Sequence, residues 1–222
     1  MKSLFAISLF TLSLLLTGCA KPGQVQTTDY SAFKESKPRS ILVLLPKNQS
    51  TDVDAGHSLL SVVTYPLAEG GYYVFPVAVV EETFKQNGLS NAEDINAVST
   101  TRLHQIFGAD AALYLNIEEY GTSYQIISSD TRVTASARLV DLRTGKELWK
   151  KSATASSGEN DNNYNNGLLA MVVSAAIEQI ANTAGNKSHE ISGITSARLL
   201  NAGSPGGLLY GPRSPVYAKT AL

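Results

Sequence analysis

The chain has 222 residues, with 18 Lys and Arg against 19 Asp and Glu for a formal charge of −1, and it is 43% hydrophobic and 17% charged. That length builds one domain with a proper core, and the apolar share is ordinary for a globular protein. The charge balance excludes a nucleic-acid binder, which needs a basic face to replace counterions.

Met1-Lys2 gives a positive start, and Leu4 to Leu16 is almost wholly apolar, broken only by Ser8, Thr11 and Ser13. The run falls short of the about 20 residues that a spanning helix needs. With its small-residue exit, it reads as a secretory signal peptide over residues 1–18. Cys19 is the only cysteine, and an exported chain normally uses cysteines in pairs, so this one asks for a separate reason. Leu16-Thr17-Gly18-Cys19 resembles the lipobox of bacterial lipoproteins. The resemblance implies cleavage after Gly18, with a diacylglyceryl thioether and an N-acyl chain on Cys19. These are covalent lipids, and no other cofactor is expected. Buried acyl chains contribute roughly 0.8 kcal/mol per methylene, so such a protein stays on its membrane. Ala20 follows, where the lipoprotein rule treats aspartate as an inner-membrane retention signal; the resemblance thus implies the outer membrane, facing the periplasm.

Residues 19–38 are polar, with Pro22, Gly23 and Gln24 to Thr28, and read as a tether on which Tyr30 and Phe33 dock to the domain. A flexible chain of this length spans about 25 Å. Ile41 to Leu45, closed by Pro46, is an apolar run that predicts a strand buried on both faces. Gly56 to Glu69 carries a helical stripe that Pro66 should kink or shorten. Gly70-Gly71 ends it, and Tyr72 to Val77 predicts a second strand joined to the first by a crossover. Val79 to Gln86 predicts a short helix. Ser90 and Glu93 form a capping-box pattern that opens a helix running to Phe107, with Gly108 as its stop. Ala111 to Glu119 and Val133 to Leu139 alternate apolar with polar residues. With a turn at Gly121, a strand over Tyr124 to Ile127 and a return over Lys146 to Thr154, they predict an antiparallel meander with one wet face. An Asn-rich loop precedes a largely buried helix over Leu168 to Ile180. A weaker helix covers Ser188 to Leu200, and Gly203 to Gly207 breaks structure. The sum is an α+β fold, α/β-like at its start: a single mixed sheet with an antiparallel meander, flanked by helices. The domain is expected over residues 39–203, with a Gly/Pro-rich strap over 204–222.

Several stretches together resemble a family of small Gram-negative lipoproteins with no assigned activity. They are Ile41–Pro46, Tyr65 to Glu69, Gly71 to Val77, Glu82-Thr83-Phe84 with Asn87-Gly88, Phe107 to Ala111, Asp141-Leu142 with Gly145, and Leu209 to Pro212. The family's fold is similar to the TolB amino-terminal domain and to the periplasmic part of the curli-secretion lipoprotein CsgG. The resemblance implies a role in envelope assembly or partner binding and brings no catalytic residues.

The residues themselves offer little chemistry. His57, His104 and His189 are far apart in sequence and lack the convergent ligands that zinc or iron requires. The Asp161 loop lacks the carboxylate spacing of a calcium site. Glu118 and Glu119, neighbours on a strand, should point to opposite faces, and Glu81-Glu82 read as solvated. No nucleophile elbow or phosphate loop is present. The apolar groups of the Gly/Pro-rich tail, Leu208, Leu209, Tyr210, Val216 and Tyr217, read either as a strap over the core or as a segment offered to a partner, with Leu209, Tyr210, Gly211 and Pro212 as the contact. The chain thus reads as a non-enzymatic, lipid-anchored component that binds other envelope proteins and itself as a homo-oligomer. The alternatives are a subunit of a CsgG-like secretion channel and a cell-wall or lipid hydrolase.

Overall fold

A computed structural model describes residues 28–124, 129–159 and 186–220. The signal segment, Cys19, the strand over 125–127, the Asp161 loop and the apolar helix over 168–180 lie outside those residues.

One mixed sheet organises the chain. Its strands are β1 (Ser40–Val43), β2 (Lys47–Asn48), β3 (Tyr73–Val74), β4 (Ala111–Tyr124), β5 (Ser129–Asp141) and β6 (Glu147–Ser156), in the order β3-β1-β4-β5-β6. β1 lies parallel to both β3 and β4, and β2 continues its line along β4, with Lys47 opposite Asn116. β4, β5 and β6 form an antiparallel meander. The parallel half needs crossovers, and helices supply them.

β1 shows why the sheet is two-sided. Ile41 and Val43 enter one core, with Leu59, Val63, Leu67, Leu113, Val133, Leu139 and Trp149; Leu42 and Leu44 enter the other, with Val80, Phe84, Ile95 and Leu103. Each fully buried aliphatic side chain contributes about 1.5–3 kcal/mol. The first core is covered by α1 (Ser31–Ser36), α2 (Ala55–Glu69) and the late helix α6 (Lys187–Leu200). The second is covered by α3 (Val77–Gln86), α4 (Ala92–Ala97) and α5 (Thr100–Phe107). A short α7 (Tyr217–Thr220) closes the described chain.

Several expectations change in detail. α2 runs to Glu69 through Pro66. The ring removes the hydrogen bond that would reach the Val62 carbonyl, and Ser196 of α6 donates its hydroxyl to that oxygen at 3.4 Å. The strand expected to Val77 stops at Val74, and Val77 instead opens α3. The helix expected from Ser90 to Phe107 is two helices. Asn91, not Ser90, caps α4 by accepting from the Asp94 N–H, and Ser99 caps α5 by accepting from the Arg102 N–H. Gly121 is no turn: β4 passes through it at φ 130° to Tyr124, a backbone region open to glycine. A register shift between Ile117 and Glu119 leaves Glu118 and Glu119 both exposed rather than on opposite faces.

The folded unit also begins earlier than Arg39. Phe33 of α1 is buried in the first core, the Glu35 carboxylate meets Lys146 Nζ at 3.2 Å, and Arg143 Nη2 donates to the Ser36 carbonyl at 3.1 Å.

Candidate functional site

The tail after α6 is drawn onto the domain by three aromatic side chains. Trp149 Nε1–H donates to the Gly206 carbonyl at 2.9 Å, the Tyr30 hydroxyl to that of Gly207, and the Tyr72 hydroxyl to that of Leu209. Trp149 and Tyr72, both buried, and the half-buried Tyr30 thereby satisfy their polar tips on the backbone of a segment that has no helix or strand of its own. Burial, and then the neighbouring Tyr217, push the Tyr72 hydroxyl well above the ordinary tyrosine range.

Two glycines let the strap come close. Gly71 sits at φ 92°, where a Cβ would stand 2.4 Å from Ser214 N, and a Cβ on Gly211 would stand 2.6 Å from the Gly71 carbonyl oxygen. Hydrogen bonds from Gly211 N–H to Gly70 O (2.7 Å) and from Arg213 N–H to Gly71 O (3.0 Å) stitch the two turns together. Of the four tail residues singled out for partner contact, Leu209 packs on the first core, Tyr210 lies half-buried, Gly211 is buried, and only Pro212 is exposed. In this structure the segment is a strap, and it borders an exposed surface of the domain.

That surface is a shelf at the β3 edge. Tyr65 of α2 is 72% exposed and Tyr73 of β3 is 40% exposed. Tyr73 meets Phe75 edge-on at 5.1 Å between ring centroids, which fixes it from the core side. The strap delivers Arg213, whose Cζ lies 5.2 Å from the centre of the Tyr73 ring, a cation–π arrangement. Between them is a shallow depression of about 610 Å³ lined by Thr64, Tyr65, Tyr73, Phe75, Pro76 and Arg213. Exposed Tyr and Arg held rigid on a small apolar base are the groups that dominate binding at protein interfaces. The sequence alone does not single out Tyr65, Tyr73 and Arg213 as a site, because nothing local distinguishes them from core aromatics or a solvated arginine.

The histidines lie apart. His57 Nε2 meets Glu81 Oε1 at 3.1 Å, His104 Nδ1 meets the Ala109 carbonyl at 2.8 Å, and His189 Nδ1 meets Ser58 Oγ at 2.7 Å. A hydrogen bond from Lys85, then His57, holds the Glu81 carboxyl below the ordinary carboxylate range. Among the described residues, no group of three His, Cys, Asp or Glu side chains converges as a metal site. The Ser58–His189 contact is a serine against a potential base, which the sequence did not reveal. The Tyr120 hydroxyl donates into Ser58 Oγ, so one chain of polar groups ties β4, α2 and α6. Among the described residues no carboxylate orients His189 through its Nε2, as an activated pair requires.

Comparison with known proteins agrees with this description of the fold. The sequence pattern of a family described as "Putative lipoprotein GNA1162-like" matches residues 28–213. The chain is 54% identical over 203 residues to "Putative lipoprotein NMB1124/NMB1162" of Neisseria meningitidis serogroup B, covering 90% of this chain and 92% of that one. The crystal structure of lipoprotein GNA1162 from Neisseria meningitidis shares 60% identity at a TM-score of 0.54, covering 66% of this chain and all (100%) of that one. The chain belongs to the GNA1162-like lipoprotein family.

Proposed function

We propose that this protein is a non-enzymatic binding component of the outer membrane, held on its periplasmic leaflet by lipid on Cys19 and engaging another envelope protein through the Tyr65–Tyr73–Arg213 shelf. The shelf carries the reading: large amphipathic side chains stand in solvent on a fixed base, with a strap committed to placing the cation. Family membership supports the lipid anchor, and Ala20 after Cys19 supports outer-membrane sorting. The lipid confines the domain to one leaflet and so raises its effective concentration near membrane partners. A channel role is less well supported, because one face of β5 carries Arg132, Thr134, Ser136 and Arg138, a water-facing set. A hydrolase role would rest on Ser58 and His189, which lack the orienting third group.

Two measurements test this. Mass spectrometry of the membrane-extracted protein should find an amino terminus at Cys19 carrying a diacylglyceryl thioether and an N-acyl chain. A photoreactive phenylalanine analogue in place of Tyr73 should give adducts in intact cells, whereas the same group in place of the exposed Thr101 should give none. An adduct of twice the chain mass would identify a second copy as the partner. An unlipidated mature chain, or equal labelling from both positions, would refute the proposal.

A further inference from the structure

Among the described residues, the second face of the sheet is only partly covered. α3, α4 and α5 pack over β1 and the start of β4, and beyond them the meander floors a groove of about 550 Å³, within the size range of ligand clefts. Register arranges its floor in two rows across three strands. One row is Tyr114, Arg138 and Lys150; the next is Asn116, Ser136 and Ser152. Asn96 of α4 and Lys47 of β2 line the groove as well.

Two features of the floor have no internal rationale. Arg138 and Lys150 are directly opposed on antiparallel strands, and like charges so placed destabilise a sheet. Lys150 has Glu147 at 3.4 Å. Arg138 has no carboxylate partner among the described residues; its Cζ rests 4.1 Å over the Tyr114 ring, which leaves the guanidinium edge free to donate. In the neighbouring row, Asn116 Oδ1 is shut from solvent and has no hydrogen-bond donor among the described residues, which is unfavourable for a buried acceptor.

From this pairing of a cation row only half neutralised with an undersupplied amide row we infer that the groove binds an extended acidic peptide segment of a partner protein. A carboxylate side chain takes the fork of Arg138 with Lys150 beside it. The peptide's own N–H and C=O groups meet the amide and hydroxyls of Asn116, Ser136 and Ser152, which both donate and accept. The rows are two residues apart along the strands, ~7 Å, the step between side chains i and i+2 of an extended chain. An ionised phosphodiester would satisfy the cations but has no donor for the Asn116 carbonyl, and inorganic phosphate is too short to reach both rows, so an extended peptide fits better. The groove shares no lining residue with the shelf, so either can fail without the other.

The test uses the full mature protein in detergent and a fluorescein-labelled, amidated octapeptide of alternating glutamate and serine, read by fluorescence anisotropy. The peptide should bind. Arg138→Ala and Ser152→Glu should each weaken binding about tenfold or more, and the matching glutamine–serine peptide should bind as weakly as the variants. Both positions are exposed, so folding should persist; if Arg138→Ala unfolds, Ser152→Glu alone decides. Absence of binding up to on the order of 1 mM, equal binding by the glutamine peptide, or full affinity in both variants would overturn the inference. So would Arg138-dependent binding of inorganic phosphate or anionic vesicles in place of the peptide.

Discussion

Asp141 closes β5 by gathering donors onto one carboxylate. The backbone N–H groups of Arg143 and Thr144 donate at 2.8 Å each, Arg143 Nη2 donates at 3.1 Å, and the Ser36 hydroxyl reaches it from α1. Burial alone would raise this carboxyl, but these hydrogen bonds outweigh it and bring it from 3.8 down to about 2. Because the folded value is depressed, the unfolded chain takes up the proton first on acidification. The contribution is therefore fully present above about pH 4 and is lost as pH falls through about 2, on the order of 2 kcal/mol in all. Asp141→Asn should lower the urea midpoint at neutral pH, and its deficit against wild type should shrink steadily as pH is lowered through that window. A deficit independent of pH would mean that the carboxylate's charge is not what the turn uses.

Among the elements, the strap is the one whose packing a single methyl can test. Gly211→Ala places a Cβ 2.6 Å from the Gly71 carbonyl oxygen and 2.9 Å from Tyr72 Cδ1, where neither backbone can yield cheaply. The variant should lose about 1–3 kcal/mol in urea unfolding, and photo-adducts formed through position 73 should fall with it, because Arg213 no longer sits over that ring. Which elements could be read from sequence follows from how local their causes are. β1 and the Val133–Leu139 alternation were legible because burial writes a period-two or continuous apolar pattern directly into neighbouring residues. The start of α4 was misread by one position because Ser90 and Asn91 are both competent caps, and only the chain's entry direction selects Asn91. Ser99 signals its own cap just as plainly, yet inside an unbroken apolar stripe it passed for mid-helix. Pro66 failed to break α2 because Ser196, 130 residues later, supplies the missing donor. The shelf, the groove rows and the Ser58–His189 contact depend on register and on helix docking, which no local pattern records.

For the whole molecule, each face of the sheet carries its own core. The folded unit starts by Thr28, and a link of roughly nine residues from Cys19 spans at most ~30 Å. With α1 docked, the proposed anchor on Cys19 would hold the domain closer to the bilayer than a tether running to Pro38 would allow. The link enters beside the strap, where Tyr30 binds the Gly207 carbonyl. No helix of the described residues is long and apolar enough to cross a membrane, and the described residues by themselves supply two packed cores. Replacing residues 1–19 with a cleavable, non-lipid secretory signal should therefore release the protein into the soluble periplasmic fraction. Its melting temperature should stay within about 2 °C of the lipidated form, less than a 1 kcal/mol change produces in a domain of this size. Adducts through position 73 should drop sharply, because the millimolar effective concentration that confinement gives is gone. Retention in the membrane fraction would place the anchor in the domain itself, and a large fall in melting temperature would mean that the leader is part of the fold.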